Sequence, residues 1–192
     1  LATIDKLPSA ASQSVWYFMS KFTGSAGTLS FRFGFDSLYR LTLGTSEDGA
    51  FAGSPTSFST QWSTTQLTDA IGLKQWYRFT YQKSTRQVKF YTSENGVLWT
   101  QVGATQTAQA SGIYWGNALM EVGDDQSGSI EAFSGKIFES SVRNGIDGTV
   151  ISKFDARRFP DRAAALSTAT SEVGETWTLR IGPGSPQGAL VN

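Results

Sequence analysis

Residues 76–102 (WYRFTYQKSTRQVKFYTSENGVLWTQV) constrain the fold more than any other stretch of this chain. Residues 76–81 are dense in aromatics, which suit the half-buried pleated surface of a strand. Residues 83–86 are a polar break, residues 88–93 are β-prone again, and Asn95-Gly96 is a strong hairpin signal. Three consecutive antiparallel strands joined by two tight turns are therefore expected. A two-residue Asn95-Gly96 loop would mix apolar and polar residues on each face. A three-residue Glu94-Asn95-Gly96 loop, with Gly96 left-handed in a bulge, pairs Val88 with Val102 and Thr92 with Leu98, and segregates them. The second register is predicted. It turns Val88, Phe90, Leu98 and Val102 inward and puts Trp99 on the opposite face beside Tyr91.

The chemistry open to such a chain is narrow. With no Cys there are no disulfides, thiolate nucleophiles or Cys-held zinc sites. With no His there is no Ser-His-Asp triad and no His general base, and most transition-metal sites are excluded. Sixteen basic residues balance sixteen acidic ones without a run of one sign, so the basic stripe expected of a nucleic-acid partner is missing. No apolar run approaches the roughly 20 residues of a membrane-spanning helix. At 192 residues, with no repeat and no linker-like boundary, one domain over residues 1–192 is expected. The start at Leu1 rather than Met suggests a fragment or a processed product.

Along the chain, an edge strand is expected around residues 3–6. Residues 15–22 (VWYFMSKF) are apolar almost throughout, as in a central strand covered on both faces. Residues 29–36 alternate strictly: Leu29, Phe31, Phe33 and Phe35 share one face, opposite Ser30, Arg32, Gly34 and Asp36. Residues 39–43 are its partner. Residues 45–61 read as a long polar loop, and residues 63–71 as one or two helical turns with Ser63 and Gln66 spaced as a capping box. Short strands are expected around Tyr114 and Leu119, over residues 135–143, 149–155 and 175–181, with a helical turn at residues 163–166. The sum is roughly twelve to fourteen strands with turn signals every 8–12 residues, an all-β pattern. Trp16, Trp76 and Trp177 sit among apolar partners and are expected to be buried.

Several of these residues resemble one family. Trp76-x-Arg78-x-x-Tyr81 and Val88-x-Phe90-Tyr91-x-Ser93-x-Asn95-Gly96-x-x-Trp99 look like the centre of laminin-G-like, concanavalin-A-like domains. Phe133-x-Gly135-Lys136-Ile137-Phe138, Val142-Arg143-Asn144-Gly145, Phe154-Asp155 and Gly174-x-x-Trp177-Thr178-Leu179 resemble the closing part of that fold. The likeness covers most of the chain and is weakest at residues 1–14 and 45–71. It implies an antiparallel two-sheet jelly-roll sandwich with a concave face and rim loops open to ligands. Among lectins, receptors, hydrolases, secreted bacterial proteins and phage structural proteins of this kind, the Cys-free composition looks most like the bacterial and phage versions. That places the chain outside a cell or on a virion surface.

For sugar binding, the chemistry needs an exposed aromatic face with amide or carboxylate partners. Trp62, Tyr114, Trp115 with Asn117, and Trp99 with Gln101 are the aromatics with polar neighbours. Any one of them is more often core, and Trp62 and Trp115, which flank loops, are favoured as ligand contacts together with Tyr114 and Asn117. For calcium, Asp124 and Asp125, ahead of the Glu47-Asp48-Gly49 loop, offer hard oxygens. Asp and Gly also favour plain solvated turns, and no cofactor is required. A glucanase of this fold would need acidic residues alternating along one strand. Glu121 with Asp124 and Glu172 with Glu175 are each three apart, on opposite faces, so no catalytic residue is assigned. Arg157-Arg158 with Lys153 is the one basic cluster, expected to be a solvated edge that discourages aggregation, or else a subunit contact. The reading is a non-catalytic glycan-binding module. The alternative is a virion or cell-surface interaction domain that acts through protein contacts, as a homo-oligomer or with other surface proteins.

Overall fold

The computed structural model describes residues 1–5, 15–23, 27–50, 58–124, 133–159, 166–180 and 189–191. The chain is all-β, and among the described residues the only helical element is a 3₁₀ turn at Ala156–Arg158. Sixteen strands are described, more than expected, because several are only two or three residues long. They are β1 (Ala2–Ile4), β2 (Val15–Lys21), β3 (Phe31–Asp36), β4 (Leu41–Ser46), β5 (Phe58–Trp62) and β6 (Lys74–Gln82). Next come β7 (Gln87–Ser93), β8 (Thr100–Gln101), β9 (Gln106–Thr107), β10 (Met120–Val122) and β11 (Gly135–Ile137). Last are β12 (Glu139–Asn144), β13 (Thr149–Asp155), β14 (Leu166–Thr170), β15 (Thr176–Arg180) and β16 (Ala189–Val191).

The strands form two large antiparallel sheets and one hairpin. One sheet runs β11-β1-β6-β7-β8, with β9 also on β7; the other runs β14-β15-β16-β10-β2-β3-β4-β5; β12 and β13 pair separately. β1 is therefore an inner strand, not the expected edge, because β11 returns from far along the chain to flank it. Residues 135–143 are two strands rather than one, broken at Phe138 where the chain passes from the first sheet into the hairpin.

An aromatic layer fills the space between the sheets. Phe18 of β2 stacks on Tyr77 of β6 at 4.9 Å, and Phe33 of β3 meets Phe79 of β6 at 5.0 Å. Such ring pairs contribute about 0.5–1.5 kcal/mol beyond their area. The alternation of residues 29–36 holds, with Leu29, Phe31, Phe33 and Phe35 buried. Its other face is covered too, since Ser30 and Asp36 are also buried. A bulge at Phe18 lets β2 keep Trp16 opposite Phe35 and Met19 opposite Phe33. Gly34 faces that bulge, where a Cβ would lie 2.2 Å from the carbonyl oxygen of Trp16. A second cluster joins Phe154 of β13 to Trp177 of β15, at 5.4 Å edge-on, and to Phe159.

The opening meander is present with one change. β6 and β7 pair over their whole length, Trp76 opposite Ser93 and Gln82 opposite Gln87. β8 pairs Thr92 with Thr100 and Tyr91 with Gln101, so the loop spans residues 94–99, not three residues. Asn95 Oδ1 accepts from the N–H groups of Val97 and Leu98, and Ser93 Oγ from that of Gly96. Those backbone groups are satisfied inside the loop rather than across a ladder. Leu98 is consequently 75% exposed instead of inward, while Val88, Phe90 and Val102 are buried as predicted. Gly96 does take the left-handed conformation, at φ 73°.

Other expectations change as well. Trp76 is only half-buried, because it lies on the outer face of β6 against Gly96. Residues 45–61 hold the ends of β4 and β5. Residues 63–71 form no helix: Ser63 Oγ accepts from the N–H of Leu41 and donates to the carbonyl of Thr65, instead of capping a helical turn. The helical turn expected at residues 163–166 lies outside the described residues up to 165, and Leu166 opens β14.

Candidate binding cleft between β6 and the β12–β13 hairpin

β1 separates β6 from β11, pairing Ala2 with Gln75 on one side and with Ile137 on the other. β6 and β12 then run on in the same direction beyond Leu1. Between them lies a cavity of about 1180 Å³. Its floor includes Phe18, Met19, Phe31 and Phe33 of the larger sheet; Val97, Trp99, Ile146 and Asp147 stand at its rim. The amino nitrogen of Leu1 marks one end, donating to the carbonyl of Glu139 at 2.7 Å.

Charge and aromatic surface meet at Arg78. Its guanidinium lies 5.3 Å from the Trp99 ring and 5.7 Å from Tyr91, and Nη2 donates to Asp147 Oδ1 at 2.8 Å. Trp99 does lie on the face beside Tyr91, as expected. Arg78 and Asp147 were not among the expected contacts. The one available signal was a lone cation inside the aromatic strand WYRFTY.

The segment 108–118, which carries three of the expected ligand residues, reaches the cleft through Ile113 and Trp115. The strand expected around Leu119 is β10, which starts at Met120, but none forms around Tyr114, because this segment is tied down by groups from elsewhere. Gln109 N–H donates to Ser59 Oγ, Tyr81 Oη to the Ala110 carbonyl, and Tyr114 N–H to the Ser46 carbonyl. Glu47 Oε2 accepts from both the N–H and the hydroxyl of Ser111, and these bonds hold its carboxyl below the usual range. Lys21 Nζ donates to the Ala118 carbonyl and sits 4.9 Å from the Trp115 ring, while burial lowers its pKa. Trp115 is 54% exposed and lines the cleft; Tyr114 is half-buried and Asn117 exposed.

The remaining expected residues are not gathered here. Trp62, 42% exposed at the end of β5, has the Arg40 guanidinium 5.5 Å from its ring and does not line the cleft. Asp124 follows β10, its carbonyl accepting from Ser20 Oγ, and Asp125 lies outside the described residues. Asp48 Oδ1 accepts from Ser46 Oγ and the Ala50 N–H, a closed turn. Among the described residues no three Asp or Glu side chains converge as a metal would need. The basic cluster is not a bare edge. Lys153 pairs with Glu172 at 2.9 Å and Glu139 at 3.6 Å, Arg158 with Glu172 at 2.9 Å, and Arg157 with Asp155 at 2.8 Å.

No protein family, curated protein or solved structure matches the chain.

Proposed function

We propose that the chain is a non-catalytic binding module of jelly-roll type that takes a glycan on Trp115 at the cleft, with Tyr114 and Asn117 beside it in the same segment. The carrying observation is Trp115, an indole more than half exposed with Lys21 Nζ 4.9 Å from its ring. A rigid exposed ring is what a pyranose face stacks on, and the exposed amide of Asn117 is suited to its hydroxyls. The non-catalytic reading is supported by the ion pairs that engage several acidic side chains. Asp36 bonds Arg40, Asp147 bonds Arg78, Asp155 bonds Arg157, and Glu172 bonds Lys153 and Arg158. The resemblance set out above puts such a module outside a cell or on a virion. Calcium is not required by this reading; a melting shift between EDTA and excess calcium would add a metal.

A second reading, an interaction domain working by protein contact, is favoured by exposed apolar residues at the cleft. Val97, Ile146 and Ile151 are 75%, 49% and 41% exposed and all line it. A glycan array with the 192-residue chain and its Trp115→Ala variant, beside light scattering, separates the two. Glycan signal that falls at least about tenfold in the variant, about 1.4 kcal/mol, is expected. No glycan signal together with a closed oligomer would overturn the first reading in favour of the second.

A further inference from the structure

Behind Trp115 the protein buries a charge. Lys21 ends β2, paired with Phe31 on one side and Met120 on the other, both of them buried. Residues directly opposite one another share a face of the sheet. Lys21 therefore points into the interior with them, and it is only 7% exposed. Its Nζ donates to the Ala118 carbonyl and lies 4.9 Å from the Trp115 ring. Among the described residues it has no ion-pair partner, and two of its three N–H donors are unused. An ammonium taken out of water is costly unless an opposite charge compensates it. A carbonyl oxygen and an indole face offset only part of that cost, and burial shifts the Lys21 pKa downward.

The acidic groups of the surrounding elements do not compensate it. Glu47, which reaches the same segment as Trp115, holds the N–H and the hydroxyl of Ser111. Glu121 of β10 is opposite Ser20, and Ser20 and Lys21 alternate along β2, so Glu121 belongs to the other face of the sheet.

The charge stands directly behind the wall of the cleft, because Met19, Phe31 and Trp115 all line it. Lys21 occupies one face of the indole, which leaves a ligand the opposite face and the edge. A group in van der Waals contact with that opposite face would stand about 8–9 Å from Nζ. Across that distance, at an effective dielectric of about 20, a unit negative charge on the ligand is favoured by about tenfold or more.

We infer that the ligand stacked on Trp115 is an acidic glycan, a sugar carrying a carboxylate, and that Lys21 is the residue that selects it. The inference rests on the glycan reading above and adds the class of sugar. A carboxylate beside the ring compensates the buried ammonium, whereas a neutral sugar gains the stacking alone. Two other cations line the cleft, but Arg78 is paired with Asp147, and Arg143 donates to the Gly148 carbonyl.

The probes are oligosaccharide pairs of gluco, galacto and manno configuration. The members of each pair differ only in a C5 carboxylate that replaces the hydroxymethyl group. Dissociation constants are measured for the 192-residue chain and for Lys21→Met, whose side chain is apolar and of similar length. The acidic member is expected to bind the parent about tenfold more tightly. In Lys21→Met that difference is expected to vanish while the affinity for the neutral member is kept. Loss of a buried charge without an ion-pair partner is expected to be tolerated. Should the variant not fold, NMR titration of the Lys21 ammonium in the parent decides. By linkage its pKa rises when the acidic member is bound and not when the neutral one is. Equal affinities within every pair, a preference that survives in Lys21→Met, or an unmoved titration would overturn the inference and leave the glycan reading standing. No binding of any of these sugars would overturn both.

Discussion

Arg78 of β6 and Asp147 of the β12–β13 turn meet at 2.8 Å, which ties the two walls of the cleft together. The Asp147 side chain is 75% exposed, so the ion pair itself is worth about 0–1 kcal/mol. Stacking of the guanidinium on Trp99 and Tyr91 adds about 0.5–1 kcal/mol. Arg78→Ala should therefore lower stability by about 1–2 kcal/mol, and Asp147→Asn by less than about 0.5 kcal/mol. Asn also tolerates the left-handed backbone at this position, φ 59°. Denaturant midpoints decide: equal losses in the two variants would mean that the rings contribute nothing.

Gly96 is required twice over. Its φ is 73°, and a Cβ would lie 2.9 Å from Trp76 Cε2. Gly96→Ala should cost about 1–2 kcal/mol from the backbone alone and should shift Trp76 fluorescence. Gly145→Ala, also at positive φ but with nothing within 4 Å, isolates the backbone share. If both variants lose the same amount, the packing of Trp76 on Gly96 carries no weight.

The corrected loop makes Leu98 dispensable. With 75% exposure, Leu98→Ala should stay within about 0.5 kcal/mol of the parent. Phe90→Ala, at a fully buried site, should cost about 3–5 kcal/mol. A loss above about 2 kcal/mol for Leu98→Ala would restore the three-residue loop.

Acid should weaken the fold through Asp155. Hydrogen bonds from Arg157 hold its carboxyl below the ordinary range in the folded state. The unfolded chain then binds the proton more readily, so this stabilisation is complete above about pH 4 and lost as pH falls through the depressed folded value. Asp155→Asn should flatten the decline of melting temperature with acidification. An unchanged slope would show that Asp155 does not couple to folding.

The meander shows what the sequence could and could not disclose. Facing of side chains was legible, because the predicted pairing of Thr92 with Leu98 and the observed pairing with Thr100 differ by two residues. A slip of two leaves every side chain on its own face, so Val88, Phe90 and Val102 were placed correctly while the loop was not. What decides the loop is Asn95 bonding its own neighbours, a local competition that apolar patterning does not register. The segment 108–118 misled for a related reason. Its β-prone residues are held by Ser46, Glu47, Ser59 and Lys21, partners far away in sequence. The exposure of Trp115 was legible because a loop-flanking Trp is locally conspicuous. The cleft was not, because its walls come from residues near 76 and 140, which no local pattern joins.

The placement of β1 also sets the order in which the fold is completed. Ala2 is made before both of its partners, and it cannot pair until Gln75 and then Ile137 have been made. Contacts so distant in sequence demand costly loop closure before they return anything, and they slow folding. During synthesis, β1 therefore waits on the strand that completes its sheet. Until then, β6 is exposed to any other extended segment that reaches it first.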